Sequence, residues 1–192
     1  MRLIVGISGA SGVIYGIRML EMLREQPDIE THLVISKGGK LNIKLETDWA
    51  VKDVEALADE VHSDQNLAAT IASGSFKTDG MVIAPCSMKV LSGVVNSYAD
   101  TLIVRAADVI LKESRQLVLM PRETPLHVGH CRLLHEAAMM GCQIAPPMPA
   151  FYNHPQTIDD LINQNLGRVL DLFGLDNSIV KRWEGAQPRK SS

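Results

Sequence analysis

No stretch of this sequence stays apolar long enough to span a bilayer. MVIAP, from Met81 to Pro85, is among its longest apolar runs, and a membrane helix needs about 20 such residues. The first residues also lack the basic, apolar and small-residue order of a signal peptide, so a cytoplasmic location is expected. Charge of either sign is not in excess: 21% of residues are charged and the formal net charge is −3. Overall electrostatics therefore give no support to a nucleic-acid partner or an anionic membrane, and any anion site must be local. Cysteine is scarce. Cys86, Cys131 and Cys142 are odd in number and read as reduced thiols rather than a disulfide framework. Aromatic residues make up only 4% against 46% hydrophobic, so the core must be built from Leu, Ile, Val, Met and Ala.

Short β-branched runs alternate with amphipathic stretches of helical length. Arg2 to Val5 reads as a strand and Val13 to Arg24 as a helix with Ile17, Leu20 and Leu23 on one stripe. Strand Thr31 to Ile35 precedes helical Lys40 to Leu45, and a weakly patterned stretch around Asp53 to Glu60 follows. The run Met81 to Ala84 is expected to stop at Pro85, before helical Ser87 to Val95 and Ala106 to Glu113. Strand Gln116 to Met120, stopped by Pro121, leads to helical Leu126 to Met140, a short strand Gln143 to Ala145 and a final helix from Ile158 to Phe173. Five strand-to-helix units in series imply a parallel sheet covered on both faces, because parallel strands need crossover connections. The expected fold is a three-layer α/β/α domain over residues 1–184, with a disordered tail over 185–192.

Ligands of such sheets collect beyond the carboxyl ends of the strands. Five segments fall there: Gly6 to Gly12, Ser36 to Gly39, Pro85 to Lys89, Pro121 to Pro125 and Pro146 to Asn153. In the first, GISGASG spaces its glycines as G-x-x-G-x-x-G. That is neither the dinucleotide fingerprint nor a Walker loop, and Ser36 and Lys37 stand where a dinucleotide fold would carry an acidic residue. The loop reads either as a site for a single phosphate, with Ser8 and Ser11 as hydroxyl donors, or as a tight turn with a Ser cap. PCSMK repeats the theme, with Ser87 at a cap position and Lys89 in the first turn. Cys86 has no base to pair with and reads as packing. Arg105, Lys112 and Arg168 read as surface charges when taken singly; Arg122, following Pro121 at a strand end, is placed for a ligand phosphate. His127 and His130 are three apart on an expected helix, but no carboxylate or cysteine stands at zinc-site spacing except Cys131 beside His130, and no metal is expected.

Taken together, GISGASG, APCSMK, LMPRETPL and FYNHPQ, with Arg168 downstream, resemble the UbiX family of flavin prenyltransferases, once described as phenylacrylic or aromatic acid decarboxylases. The resemblance runs from Met1 to about Trp183. It implies a Rossmann-like flavoprotein of the homo-oligomeric flavin-containing decarboxylase type. The implied reaction moves a dimethylallyl group from dimethylallyl monophosphate to N5 of reduced FMN and closes a ring at C6. The product, prenylated FMN, serves a UbiD-type decarboxylase, and the assembly implied is a homododecamer with flavin sites at subunit contacts.

Carried over by position, Gly9, Ala10, Ser11, Ser36, Ser87, Met88, Lys89, Val90 and Arg122 would contact FMN. Lys112, Glu123, Tyr152 and Arg168 would meet the prenyl phosphate, with Arg105 reaching in from a neighbouring subunit. Glu46 would be the acid near the flavin, and Trp183 would line or cover the site. Val90 departs from the Thr that many members carry, which removes one hydroxyl from the flavin site. The residue types suit the chemistry: breaking an allylic C–O bond creates a cation and a phosphate dianion, and fixed cations stabilise the latter. Two other readings share the fold, an FMN-dependent cysteine-type decarboxylase and a non-catalytic flavin carrier.

Overall fold

The computed structural model describes residues 1–180, 182 and 185. Where length suggests one domain, the chain packs as two compact units, the first spanning Met1–Pro147 and the second beginning at Met148. The first holds β1 (Arg2–Ile7), α1 (Ile14–Arg24), β2 (Glu30–Ile35), α2 (Lys37–Glu46), α3 (Val51–Glu55) and β3 (Glu60–Ser63). After a 3-10 turn at Thr70–Ala72 come β4 (Gly80–Cys86), α4 (Met88–Val95), α5 (Leu102–Lys112), β5 (Gln116–Pro121), α6 (Val128–Met139) and β6 (Gln143–Ile144). The second unit contains α7 (Ile158–Leu172), opened by a capping box between Thr157 and Asp160.

All strand pairs are parallel and run in the order β3-β2-β1-β4-β5-β6. The expected three-layer α/β/α architecture is present, with six strands among the described residues rather than five. β3 escapes the sequence pattern because its four residues, EVHS, are mostly exposed at the sheet's edge. Pro121 ends its strand as expected, whereas Pro85 does not. Pro85, after a cis peptide, lies inside β4, and Pro121 closes β5. The segment Ser36 to Gly39 is not a loop: Ser36 caps α2 and the following residues form its first turn.

Alternation along the strands builds two apolar faces. Ile4, Val34, Met81, Ile83, Leu117 and Leu119 lie in one cluster with Leu91, Val94, Ile103, Ala107 and Ile110 of α4 and α5 and with Leu133 and Ala137 of α6. Residues of opposite parity, Leu3, Val5 and Ile7 among them, are also buried. Gly16 brings α1 against that side so closely that a Cβ there would collide with the Ala84 carbonyl and the Ile7 side chain. No helix among the described residues is long and apolar enough to cross a membrane.

Candidate functional site

β1 and β4 are neighbours, and the chain's winding direction reverses between them, so a crevice is expected where they end. Ser8 joins those ends. Its buried hydroxyl donates to the Pro85 carbonyl at 2.7 Å and accepts from Ser87 N at 2.8 Å. Ser8 therefore holds the crevice together and is committed to the protein, which corrects its reading as a ligand donor. Ser11 does not cap α1 either; the cap position is Val13, without a side-chain bond. Gly12 takes φ +94°, a conformation that favours glycine, and its N–H donates to Glu46 Oε2 at 2.7 Å. Glu46, last residue of α2, is thereby tied to the first loop.

That loop also meets the start of α2. A Cβ on Gly9 would lie 2.9 Å from Gly38 Cα, so two backbones touch where side chains would hold them apart. Ser36 accepts from Gly39 N at 3.0 Å and Ser87 from Val90 N at 3.3 Å, each capping a helix whose N-terminus faces the crevice. The first turns of both helices lack acidic side chains and carry Lys37 and Lys89 instead. Uncompensated helix dipoles next to lysines favour an anion.

These elements open onto a cleft of about 950 Å³, lined by Gly9, Ser36, Ser87, Lys89, Val90 and Glu123 among others. The donor set suits FMN, with helix N-termini for its one phosphate and the apolar rim of Met88, Val90 and Val104 for its ring system. Arg122 is exposed next to this cleft, and its N–H donates to the Cys86 carbonyl at 3.2 Å. Burial pushes the Cys86 thiol up to about 12, in keeping with packing rather than nucleophilic work.

The far wall was not legible in the sequence. It is built from the α4–α5 connection and from Asp64 and Gln65, beyond the unrecognised β3. Asp64 Oδ1 accepts from Ile103 N at 3.0 Å and its carbonyl from Leu102 N at 2.8 Å, so it caps α5 in place of Thr101. Burial holds its carboxyl above the usual range.

Two expected phosphate ligands lie away from the cleft. Lys112 ends α5, at the edge where strands begin, paired with Glu113 over Gly74. Arg105 donates to Ala72 O and pairs with Asp108, each at 3.1 Å. In the second unit, Tyr152 and Arg168 line one cavity of about 670 Å³ together with Val180 and Arg182. The Tyr152 hydroxyl accepts from Gln164 Nε2 at 2.9 Å. Trp183 lies outside the described residues, as do all of residues 186–192 of the expected tail. His127 caps α6 through Nδ1, and its ring lies against that of His130, tilted by 32° with ring centroids 3.6 Å apart. Among the described residues, no group of three or more His, Cys, Asp or Glu is placed to hold a metal ion.

Residues 1–167 match the Flavoprotein family. The chain is 58% identical to the flavin prenyltransferase UbiX of Escherichia coli strain K12, covering 96% of this chain and 99% of that protein. The chain belongs to the UbiX family of flavin prenyltransferases. Solved structures of family members agree. A dodecameric FMN-dependent UbiX-like decarboxylase from Escherichia coli O157:H7 superposes with a TM-score of 0.95 at 54% identity, covering 96% of this chain and 100% of that one. AnUbiX, in complex with FMN and dimethylallyl pyrophosphate, gives 0.95 at 48% identity, covering 97% and 98%.

Proposed function

We propose that this chain transfers the dimethylallyl group of dimethylallyl monophosphate to reduced FMN, with the first unit holding the flavin and the second the prenyl phosphate. The observation that carries this reading is the pairing of two unlike anion sites in one chain. One is built from capped helix N-termini beside an apolar rim, the other from guanidinium groups and a phenol. Bound reduced FMN would supply the nucleophile.

Gly9 and Gly38 let the first loop and α2 close on the FMN phosphate, while Ser36 and Ser87 hold the two helix starts in shape. Ala10, Ser11, Met88, Lys89, Val90 and Arg122 complete the flavin contacts. When the allylic C–O bond breaks, its electron pair stays on the phosphate oxygen. Arg168 and the Tyr152 hydroxyl stabilise the charge that develops there, a task that Mg²⁺ performs for diphosphates. Glu123, on the cleft wall, and Glu46, against Gly12, are proposed as the carboxylates that would take or return a proton beside the bound flavin.

Lys112 sits across the sheet from the cleft of its own copy, so its role requires a neighbouring copy, as does that of Arg105. A homo-oligomer, proposed as a dodecamer, has apolar surface to use: Leu45, Val128 and Met139 are 72%, 86% and 76% exposed. The prenylated flavin would pass to a UbiD-type decarboxylase in the cytoplasm. The deciding measurement is the mass of flavin recovered after anaerobic incubation with dimethylallyl monophosphate. A gain of one C5H8 unit is expected, and flavin of unchanged mass would overturn the proposal.

A further inference from the structure

Asp171, the penultimate residue of α7, holds two guanidinium groups at once. Its Oδ2 accepts from Arg168 Nη1 at 2.6 Å and Arg182 Nη1 at 3.2 Å, and its Oδ1 from Arg182 Nη2 at 3.0 Å. Asn177 adds a bond to the same Oδ1 at 3.1 Å. It also donates to the Gly167 carbonyl and accepts from Val180 N, each at 3.2 Å, fastening to α7 the segment that precedes Arg182. The Arg182 guanidinium holds the Asp171 carboxyl below the usual range, so it stays ionised at neutral pH.

The charge balance gives this arrangement its meaning. Asp171 neutralises Arg168, and an Arg168–Asp171 pair alone would present no net charge to a phosphate dianion. Arg182 restores one positive charge, and both side chains, 60% and 54% exposed, line the cavity that also holds Tyr152. The bidentate bond fixes the plane of the Arg182 guanidinium while leaving other N–H groups to bind. Val180 supplies an apolar wall to the same cavity.

We propose that Arg182 is a second phosphate-binding residue for the prenyl substrate and that Asp171 is the positioning residue that aims Arg168 and Arg182 together. This rests on the reading of the Tyr152–Arg168 cavity as the prenyl phosphate site. The test uses the full chain loaded with FMN, titrated calorimetrically with dimethylallyl monophosphate and with inorganic phosphate, alongside steady-state kinetics. Arg182→Gln is expected to weaken both ligands by about tenfold, the loss typical of one charge-assisted hydrogen bond. KM should rise in step and kcat should fall, because the phosphate gains charge as the allylic bond breaks, with FMN retention little changed. Affinity equal to that of the unaltered enzyme would overturn the role of Arg182, provided Arg168→Gln does weaken binding; if neither variant weakens it, the phosphate site itself is overturned. Asp171→Asn separates aim from charge, because it makes the cavity more positive. Weaker binding supports positioning, and tighter binding overturns it.

Discussion

At the carboxyl edge of the sheet, α2 and α4 begin with serine caps, no acidic residue in their first turns, and lysines close by. At the amino edge, charge is matched pair by pair. Arg2 Nη2 meets Glu30 Oε2 at 2.8 Å, and His32 bridges Glu30 Oε1 at 2.9 Å and His62 Nε2 at 2.8 Å. Arg115 donates to Gly74 O, Phe76 O and Thr78 Oγ1. One edge leaves its positive potential for a ligand, and the other uses its charges on itself. Binding and stability are thus divided between the two ends of the same strands, which is why a parallel sheet can vary its ligand without rebuilding its base.

Lys112 is the residue that most challenges this division, since it stands at the amino edge yet is proposed to hold a phosphate. Its pair with Glu113 is exposed, and such solvent-screened pairs contribute little to stability. Lys112→Ala should therefore leave the melting temperature nearly unchanged while lowering kcat/KM by about a hundredfold, the loss of a strong charge-assisted contact. Mixed oligomers of Lys112→Ala and Arg122→Ala subunits should regain part of the lost activity, because a flavin cleft of one copy can then meet an intact lysine of another. Absence of recovery, with mixing verified, would break the shared-site reading.

A smaller effect belongs to the matched charges themselves. Hydrogen bonds from Arg2 and His32 hold the Glu30 carboxyl at about 2 against its ordinary 4.5. Burial, followed by the nearby His32, pushes His62 below its ordinary 6.5. Both groups bind protons more readily when unfolded, so their stabilisation is present above the unfolded values and is lost as pH falls. Stability should start to decline below about pH 6.5 through His62 and continue from about 4.5 toward 2 through Glu30. Chemical denaturation across this range should show Glu30→Gln flattening the lower limb only. A parallel decline in both proteins would remove Glu30 from the account.

The sequence revealed most of the carboxyl edge and little of the amino edge, for physical reasons. Gly9, Ser36, Ser87 and Val90 lie on short continuous motifs whose local geometry follows from glycine and serine chemistry. Asp64 and the His32–His62 bridge depend on β3, whose polar residues gave no alternation to read. Ser8 was visible as a residue but not in its role, since the partner it holds is 77 positions away. Pro85 misled as a strand stop because its carbonyl, facing Ser8, takes part in joining β4 to β1. The Arg168–Asp171–Arg182 group was half visible: Arg168 carried the resemblance, whereas the net charge of its surroundings appears only once Asp171 is seen to touch both arginines.

The smallest expected effect sits at Val90, where the carboxyl edge itself is divided between core and cleft. The side chain belongs to the buried cluster with Leu91 and Val94 yet also lines the cleft, and its N–H is already taken by Ser87 Oγ. A backbone contact from this N–H is therefore not available to compensate for the hydroxyl that Thr would provide. Val90→Thr keeps the shape but places a hydroxyl where it must find a partner. Turned toward the cleft, it should add one hydrogen bond to bound flavin, about 1 kcal/mol or roughly fivefold in FMN affinity, with little change in melting temperature. Turned toward Leu91 and Val94, it would leave affinity unchanged and lower the melting temperature. Fluorescence titration of FMN and thermal unfolding of the apoprotein distinguish these outcomes. The first would show that valine here sacrifices flavin affinity, and the second would assign Val90 to the core.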